Sequence, residues 1–280
     1  MALLCSPASR SLASARACAR RPRLLRPGAM APLLFAAIAG AGAADMSADQ
    51  VASALARASA EQPANFDGRD LSDLDLSRLD FRHASLRGSN LFASRLVSSN
   101  FTGTDLRAAN LNGAWLMGAD FTGARLAGAS LLSVVILGGP VKAKPIFRAA
   151  DLHGVKMIAD LPGADLAGAD LGEARIGVDI KNQGMGQMRT DLTGAHLSGA
   201  NLSGADLNRS LLSFADLRGS NLRGANLFRV KLVGADLTGA DVTGADFTES
   251  DVSDAVLRNL TGRAQAKGLA EEQDPDKPVR

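Results

Sequence analysis

The sequence is poor in the residue types that build redox and metal sites. Its 280 residues include three histidines, one tryptophan, no tyrosine and two cysteines, Cys5 and Cys18. With both cysteines near one end, a disulfide-stapled scaffold and a zinc module built from Cys and His are excluded. The chain also has no phosphate-binding glycine loop, nucleophile elbow or plausible Ser/His/Asp set. We therefore expect a protein that is not an enzyme and that binds neither a metal nor a cofactor.

Charge is distributed unevenly along the chain. The formal net charge is +2, but residues 1–44 hold six arginines and no acidic residue. The remaining residues carry 25 basic and 29 acidic side chains, a net charge of −4. This charge is too small and too mixed in sign to predict nucleic-acid binding.

The first 44 residues have the features of a targeting peptide. Residues 1–29 are rich in Ala, Ser, Arg and Leu and lack acids, like an organelle transit peptide. The pair Arg20-Arg21, a short apolar run at 29–38 and the small residues 39–44 resemble a twin-arginine export signal with its cleavage site. The run is too short to cross a bilayer, so we expect no stable membrane insertion. This bipartite signal predicts the chloroplast thylakoid lumen, with a mitochondrial or secretory presequence as the alternative.

A five-residue period dominates the rest of the sequence. From Phe66 to Ile136 a large apolar residue stands at every fifth position, and the period returns from Leu161 to Ile176 and from Leu192 to Leu257. A small residue, most often Ala, stands two places before each of them, and Asp or Asn stands one place before. Two places after, the residue is often Gly. The repeating unit is therefore Ala-Asp/Asn-Leu-x-x.

This period excludes an α-helix and favours a coil of short extended segments. In a helix a step of five advances about 140° and spreads the Leu residues around the cylinder. In an extended segment Ala and Leu share one side and the Asp or Asn between them points to the other. The two remaining residues must turn the chain, and Gly at the third turn position suits the positive φ of a type II turn. The result is a coil with Leu inside whose neighbouring turns pair edge to edge.

The number of sides follows from the phenylalanines and from a family resemblance. Phe81, Phe101 and Phe121 are twenty residues apart, so four pentapeptides per coil would stack them. Over about residues 64–262 the sequence resembles the pentapeptide-repeat family, including its thylakoid-lumen members. The resemblance implies an all-β solenoid, a right-handed quadrilateral β-helix. It also implies that some relatives imitate DNA and bind type II topoisomerases, whereas lumenal members have no well-defined biochemical role.

Several segments lie outside the repeat. We expect an N-terminal capping helix within residues 45–63, because Ser47 and Gln50 have the spacing of a capping box. Loop insertions rich in Pro or Gly are expected near 138–150 and 177–190, and a register slip of one residue is expected between Met157 and Leu161. Residues 263–280 are expected to form a frayed polar C-terminal tail.

One face of the predicted coil carries apolar residues where the others carry polar ones. Its outward positions would form a column around the single Trp, and such exposed apolar patches mark contact surfaces. The alternative is that the insertion at 138–150 folds back over this column. The candidate protein-interaction patch consists of Arg95, Val97, Trp115, Met117, Val135 and Leu137.

The remaining polar residues give no better site. Outward Asp side chains diverge, whereas a hard cation needs several oxygens around one point, and His83, His153 and His196 each lack a second ligand close in sequence. We therefore expect a non-catalytic scaffold or protein-interaction module of the thylakoid lumen. The partner would be a protein of unknown identity, or a second copy bound through a coil end or the Trp115 face, and not a nucleic acid. A DNA-mimicking regulator of a type II topoisomerase is the alternative, which the mild net charge disfavours.

Overall fold

The computed structural model describes residues 44–136, 143–178 and 189–269, which all belong to one compact unit, Ala41–Arg280. The expected targeting peptide, apart from Ala44, and the tail beyond residue 269 lie outside these ranges. No helix within them combines the length and the apolar character needed to cross a bilayer.

Regular elements are short because the chain turns every five residues. Strand β1 (Ala64–Asn65) pairs in parallel with β2 (Ala84–Ser85), with Ala64 opposite Ala84. Strand β3 (Ser130–Leu132) pairs in parallel with β4 (Lys156–Ile158), with Ser130 opposite Lys156. The remaining coils are joined by single parallel bridges. In chain order the described elements are α1 (Ala48–Leu55), β1 (Ala64–Asn65), β2 (Ala84–Ser85), β3 (Ser130–Leu132), β4 (Lys156–Ile158) and a 3₁₀ helix (Arg263–Gln265).

The bridges confirm four pentapeptides per coil. Most join a residue to the one twenty positions later, as Asn90 joins Asn110, and the fold is the expected right-handed quadrilateral β-helix. We name its faces A, B, C and D in chain order, from the outward residues Ser85, Asn90, Arg95 and Asn100 and their bridge partners. On face C bridges join Asp75, Arg95, Trp115 and Val135, and further bridges join Asp160, Asp191, Leu211, Lys231 and Asp251. Val135 and Asp160 lie on consecutive coils, because Ser130 pairs with Lys156 on face B and Ile146 pairs with Asp165 on face D.

The interior is a set of stacked apolar columns. Phe81, Phe101 and Phe121 lie one above another with ring centroids 4.6 and 4.8 Å apart and nearly parallel planes, as the twenty-residue spacing predicts. Phe147 continues the stack at 5.0 Å from Phe121. Phe147 falls within the expected loop 138–150, but its ring is fully buried. These separations match the roughly 4.8 Å spacing of paired strands, so each coil adds one ring to the column.

The turns have the predicted conformation. In most, the residue three places after the core residue donates its N–H back to the carbonyl of that residue, as Ala109 donates to the Leu106 carbonyl at 3.0 Å. The third position has positive φ whether it is Gly, as at Gly103 with φ 69°, or another residue. Fourteen described non-glycine residues adopt this left-handed conformation, among them Phe214 with φ 60°. The fold therefore imposes it even where the side chain disfavours it.

The N-terminal end is closed by α1, as predicted. The Gln50 N–H donates to Ser47 Oγ at 3.3 Å and the Ser47 N–H donates to Gln50 Oε1 at 2.8 Å, which forms the capping box. Val51 is fully buried against the first coil. At the other end, order continues further than expected, because Lys267 pairs with Asp246 after the 3₁₀ helix.

Both insertions enter beside face C. Val135 on face C is followed on face D by Ile146, and Arg175 on face B is followed on face C by Asp191. The first insertion therefore lies in the turn between faces C and D, and the second in the turn between faces B and C. Residues 137–142 and 179–188 of these insertions lie outside the described ranges.

Regular pairing resumes earlier than expected after the first insertion. The Gly118 N–H donates to the Ala143 carbonyl at 2.8 Å, in the middle of the expected loop 138–150. The predicted register slip is confirmed, because Ile146 pairs with Asp165, nineteen residues later instead of twenty. The coil therefore absorbs both added and missing residues at its corners and keeps its core in register.

Candidate functional site

Trp115 lies on face C, one coil after Arg95. The two residues are bridge partners, and the guanidinium carbon of Arg95 lies 4.9 Å from the centroid of the Trp115 ring, a cation–π contact. Arg95 Nε also lies 3.6 Å from Asp75 Oδ2. Trp115, Val97 and Val135 are each partly exposed. We call the surface formed by Arg95, Val97, Trp115 and Val135 the Trp115 patch.

Two further residues expected in this patch do not extend it. Met117 is 2% exposed, so the prediction of an exposed methionine is wrong. The chain returns beside it after the first insertion, where Gly118 pairs with Ala143 and Pro145 is buried. Leu137 lies outside the described residues.

A second apolar group on this side of the coil escaped the sequence analysis. Phe214, in the turn between faces C and D, is 67% exposed, and Leu211 and Val233 beside it are partly exposed. Its ring lies over Gly234, where a Cβ would stand 2.7 Å from ring carbon Cδ1. We call Leu211, Phe214 and Val233 the Phe214 patch. The signal in the sequence is a bulky residue at the turn position where Gly234 stands one coil later.

Two carboxylates lie on face C between the Trp115 patch and the Phe214 patch. Asp160 and Asp191 are bridge partners, so their side chains leave the coil side by side. Although Asp160 as a residue is exposed, partial burial of its carboxyl and the charge of Asp191 raise its pKa, and Lys144 opposes this shift. Asp191 Oδ1 accepts the Thr193 N–H at 2.8 Å. Within the described ranges neither carboxylate forms an ion pair closer than 4 Å with an Arg or Lys.

Aromatic residues also stand at the other edge of face C. Phe92, in the turn between faces B and C, is 48% exposed. Phe228 occupies the same turn further along the chain, with the Arg229 guanidinium 4.9 Å from its ring centroid. Arg229 Nε also bonds Glu249 Oε2 at 2.7 Å. Phe92 and Phe214, the two most exposed of the large apolar side chains in the described ranges, therefore lie at the two corners of face C, while Ile146 on face D is 37% exposed.

The polar faces are held by side-chain ladders. Asp120 Oδ1 accepts the Thr122 N–H at 2.9 Å, and the same two-residue bond recurs along the coil. Between coils, Asn110 Nδ2 donates to Asn90 Oδ1 at 2.9 Å. These bonds satisfy the polar side chains by their own neighbours, so they stabilise the coil instead of preparing a ligand site.

Asp105 on face A is the most enclosed of these carboxylates. Its side chain is 7% exposed, and Oδ2 lies 2.6 Å from Arg107 Nη2, 3.1 Å from Arg125 Nη2 and 3.9 Å from Arg87 Nε. The hydrogen bonds from Arg107 are the largest cause that lowers its pKa. This cluster is a structural ion network, because its central carboxylate is already saturated by arginine donors.

Nothing in the described ranges gathers metal-binding side chains. No group of three or more His, Cys, Asp or Glu residues there could hold a metal ion. His153 Nδ1 lies 3.9 Å from Asp170 Oδ2, and both side chains are about half exposed. A shallow open groove of about 600 Å³ runs beside α1, lined by residues such as Asp49 and Arg57.

Comparison with known proteins identifies the repeat. The family model described as pentapeptide repeats matches the chain in eight copies, over residues 64–96, 84–123, 99–131, 188–224 and 225–259. No curated protein sequence matches the chain.

Similar solved structures are pentapeptide-repeat proteins and a resistance protein. HetL, involved in heterocyst differentiation regulation in the cyanobacterium Nostoc sp. strain PCC 7120, is 29% identical, with 72% of this chain and 89% of HetL covered and a TM-score of 0.39. A protein of the Arabidopsis thaliana thylakoid lumen is 28% identical, with 39% and 66% covered and a TM-score of 0.24. QnrB1, a plasmid-mediated fluoroquinolone resistance protein, is 20% identical, with 64% and 91% covered and a TM-score of 0.30.

Proposed function

The chain belongs to the pentapeptide-repeat family, and from this premise we propose that it is a non-catalytic protein-interaction module, a scaffold of the chloroplast thylakoid lumen. Its contact surface is face C. The observation that carries the proposal is the Trp115 patch, where the single Trp of the chain is partly exposed on the outer wall under Arg95. Aromatic and Arg side chains of this kind dominate binding energy at protein interfaces.

The polar faces support the assignment to face C by contrast. Many outward side chains on faces A, B and D bond to polar neighbours, as Asn221 does to Asn201 on face A, Asn110 to Asn90 on face B and Arg218 to Asp216 on face D. A partner would have to break those contacts to bind there, whereas apolar surface on face C gains free energy when it is covered. The regular coil therefore acts as a rigid support that presents face C as its binding surface.

The location rests on the sequence of residues 1–44. Import into isolated chloroplasts should give a mature form protected from protease inside the thylakoid. The double substitution Arg20→Lys and Arg21→Lys should stop delivery at the stroma, because twin-arginine signals require both arginines. A product that never enters chloroplasts, or one equally well delivered with the two lysines, would contradict the proposed route.

The interaction role is tested by crosslinking from the proposed surface. A photoreactive amino acid at Val135, within the Trp115 patch, should capture a protein in intact thylakoids, and Trp115→Ala should abolish the capture. The same probe at Asn201 on face A is the matched control and should capture nothing. Equal capture from both positions would mean that face C is not the contact surface.

The alternative of a DNA mimic would require a continuous acidic wall. On this coil the acids are interleaved with cations: Arg82 Nη2 lies 2.6 Å from Asp80 Oδ2, and Arg218 Nη2 lies 2.6 Å from Asp216 Oδ2. This pairing lowers the net field that a DNA-binding enzyme would meet. A gyrase supercoiling assay should be unaffected by excess mature protein, and inhibition would revive the alternative.

A further inference from the structure

The Trp115 patch and the Phe214 patch lie on the same side of the coil. Face C runs from Trp115 through Val135, Asp160 and Asp191 to Leu211, which places the Phe214 patch four coils beyond Trp115. At the spacing of paired strands this is about 19 Å. One partner that follows the coil axis can therefore touch both patches.

Phe214 has the properties of a contact residue and not of a structural one. Its ring is 67% exposed, so it adds little to the core. Its backbone has φ 60°, a conformation that is unfavourable for a phenylalanine and easy for Gly. Thirteen other described non-glycine residues share this conformation, so it is the exposed aromatic ring that marks Phe214 as a contact residue.

The surface between the two patches is acidic. Asp160 and Asp191 stand side by side there, with Lys144 as the nearby cation that acts on Asp160. Some carboxylates elsewhere on the coil are ion-paired, as Asp165 on face D is by Arg148 Nη2. Within the described ranges no Arg or Lys forms an ion pair with Asp160 or Asp191, so their charge is available to a cationic partner.

At the Trp115 patch the backbone of face C is already paired with the coils on both sides. The Trp115 N–H donates to the Ser94 carbonyl and the Leu116 N–H donates to the Val135 carbonyl, each at 2.9 Å. A partner must therefore use side chains, and an α-helix presents them on one side without needing backbone partners. About thirteen helical residues span 19 Å at 1.5 Å per residue.

We infer that face C binds a cationic amphipathic helix of another protein, with an apolar residue on each patch and basic residues between them facing Asp160 and Asp191. This inference rests on the proposed function and names the chemistry of the partner. A second copy fits less well: a two-fold pairing that matches the Trp115 patch of one copy with the Phe214 patch of the other brings the two acidic pairs together. Like charges opposed in this way repel.

The test uses the mature protein and a synthetic helical probe. The probe is a fluorescein-labelled peptide of about eighteen residues, free of Trp and Tyr, with Leu near both ends of one side and Lys in its middle. One control has Glu in place of Lys, and another has the same composition in shuffled order. Fluorescence anisotropy gives the affinity. Since the chain has one Trp and no Tyr, a change in its intrinsic emission places the probe at face C.

Variants of the protein separate the apolar contribution to binding from the electrostatic one. Phe214→Gly should weaken binding by about fivefold without lowering the melting temperature. Asp160→Asn with Asp191→Asn should weaken it by about tenfold at low salt and remove most of the salt dependence. Asp170→Asn, on face A of the same region, is the matched control and should leave binding within about twofold, because a remote exposed charge contributes little.

Each other outcome overturns the inference. Equal binding of the Lys and Glu probes, or full affinity of the double Asn variant, would remove the electrostatic part. A probe that binds without changing Trp115 emission binds elsewhere on the protein. If the protein forms a dimer that Phe214→Gly dissociates, the occupant of face C is a second copy of the chain. The crosslinking from Val135 is independent: a captured lumenal protein with no cationic helix overturns this inference alone, whereas absence of capture overturns the proposed function even if the probe binds.

Discussion

Faces A and C follow the same five-residue rule and differ only in the residues that point outward. On face A, Asn221 Nδ2 donates to Asn201 Oδ1 at 2.9 Å and Asp105 is held by arginines, so its residues serve one another. On face C, Trp115 and Leu211 stand at the equivalent positions and remain partly exposed. The repeat requires only that the side chain of the outward residue point away from the core. Outward positions can therefore hold residues that bind a partner without destabilising the fold. Outward residues that depart from the polar pattern are the first candidates for such binding residues.

The largest expected effect lies beneath both faces, in the shared core. Phe101→Ala should lower the free energy of unfolding by about 3–5 kcal/mol, because the ring is fully buried and stacks on Phe81 and Phe121. Urea unfolding measures it. Phe214→Ala, which removes an exposed ring, is the control and should change the midpoint little. Similar losses for the two variants would mean that Phe214 is also a core residue.

A smaller but substantial effect is expected on face A. Asp105→Asn should cost about 2 kcal/mol, since the carboxylate with 7% exposure accepts charged hydrogen bonds from Arg107. The folded-state pKa of Asp105 is lowered, so its contribution is present above the ordinary Asp pKa and is lost as the pH falls through the folded value. Unfolding curves at pH 7 and near pH 2 should therefore differ more for the wild type than for the variant. An equal loss at both pH values would contradict the assignment.

On face C a substitution should instead increase the free energy of unfolding. Phe214→Gly should stabilise the protein by about 1 kcal/mol, because Gly relieves the left-handed backbone of a residue whose ring is mostly exposed. Thermal unfolding measures the gain. Gly234→Ala is the matched opposite: it adds a Cβ at φ 66° within 2.7 Å of the Phe214 ring and should destabilise. A destabilised Phe214→Gly variant would show that the ring supports the fold.

The smallest effect should come from the acidic pair. The folded-state pKa of Asp160 is raised, mainly by burial and then by Asp191. Its ionisation therefore disfavours the folded state, and the penalty appears as the pH rises through the ordinary Asp pKa. Asp160→Asn should consequently be slightly more stable than the wild type at pH 7 and no different near pH 3, by chemical unfolding. Asp170→Asn on face A should show no such gain.

The features that repeat were predictable, and those that occur once were not. The twenty-residue spacing together with the family resemblance predicted the Phe81, Phe101 and Phe121 column, because a residue in register has only one interior position to occupy. Phe147 was missed because the nearby Pro and Gly residues of the insertion obscured the register.

The errors on face C have one cause: the exposure of an outward side chain depends on its neighbours in space. Met117 is outward in the repeat yet covered, because the chain returns at Ala143 beside it. Phe214 was overlooked because its turn position was interpreted only as a place for Gly. Neither feature can be deduced from the five-residue period. The period specifies whether a side chain points inward or outward, but not whether another segment of the chain covers it.

The aromatic column also sets an order of disassembly. It ends at Phe147, after which the same interior position is filled by Leu, from Leu166 to Leu257. Each coil touches only its neighbours, so local opening should proceed from one end like a zipper. Amide hydrogens of the Leu-filled coils should exchange before those around the stacked rings. A protease or translocase that pulls on the chain would accordingly unfold the Phe214 end of face C first and the Trp115 end last. A bound partner would therefore lose its contacts with the Phe214 patch before those with the Trp115 patch.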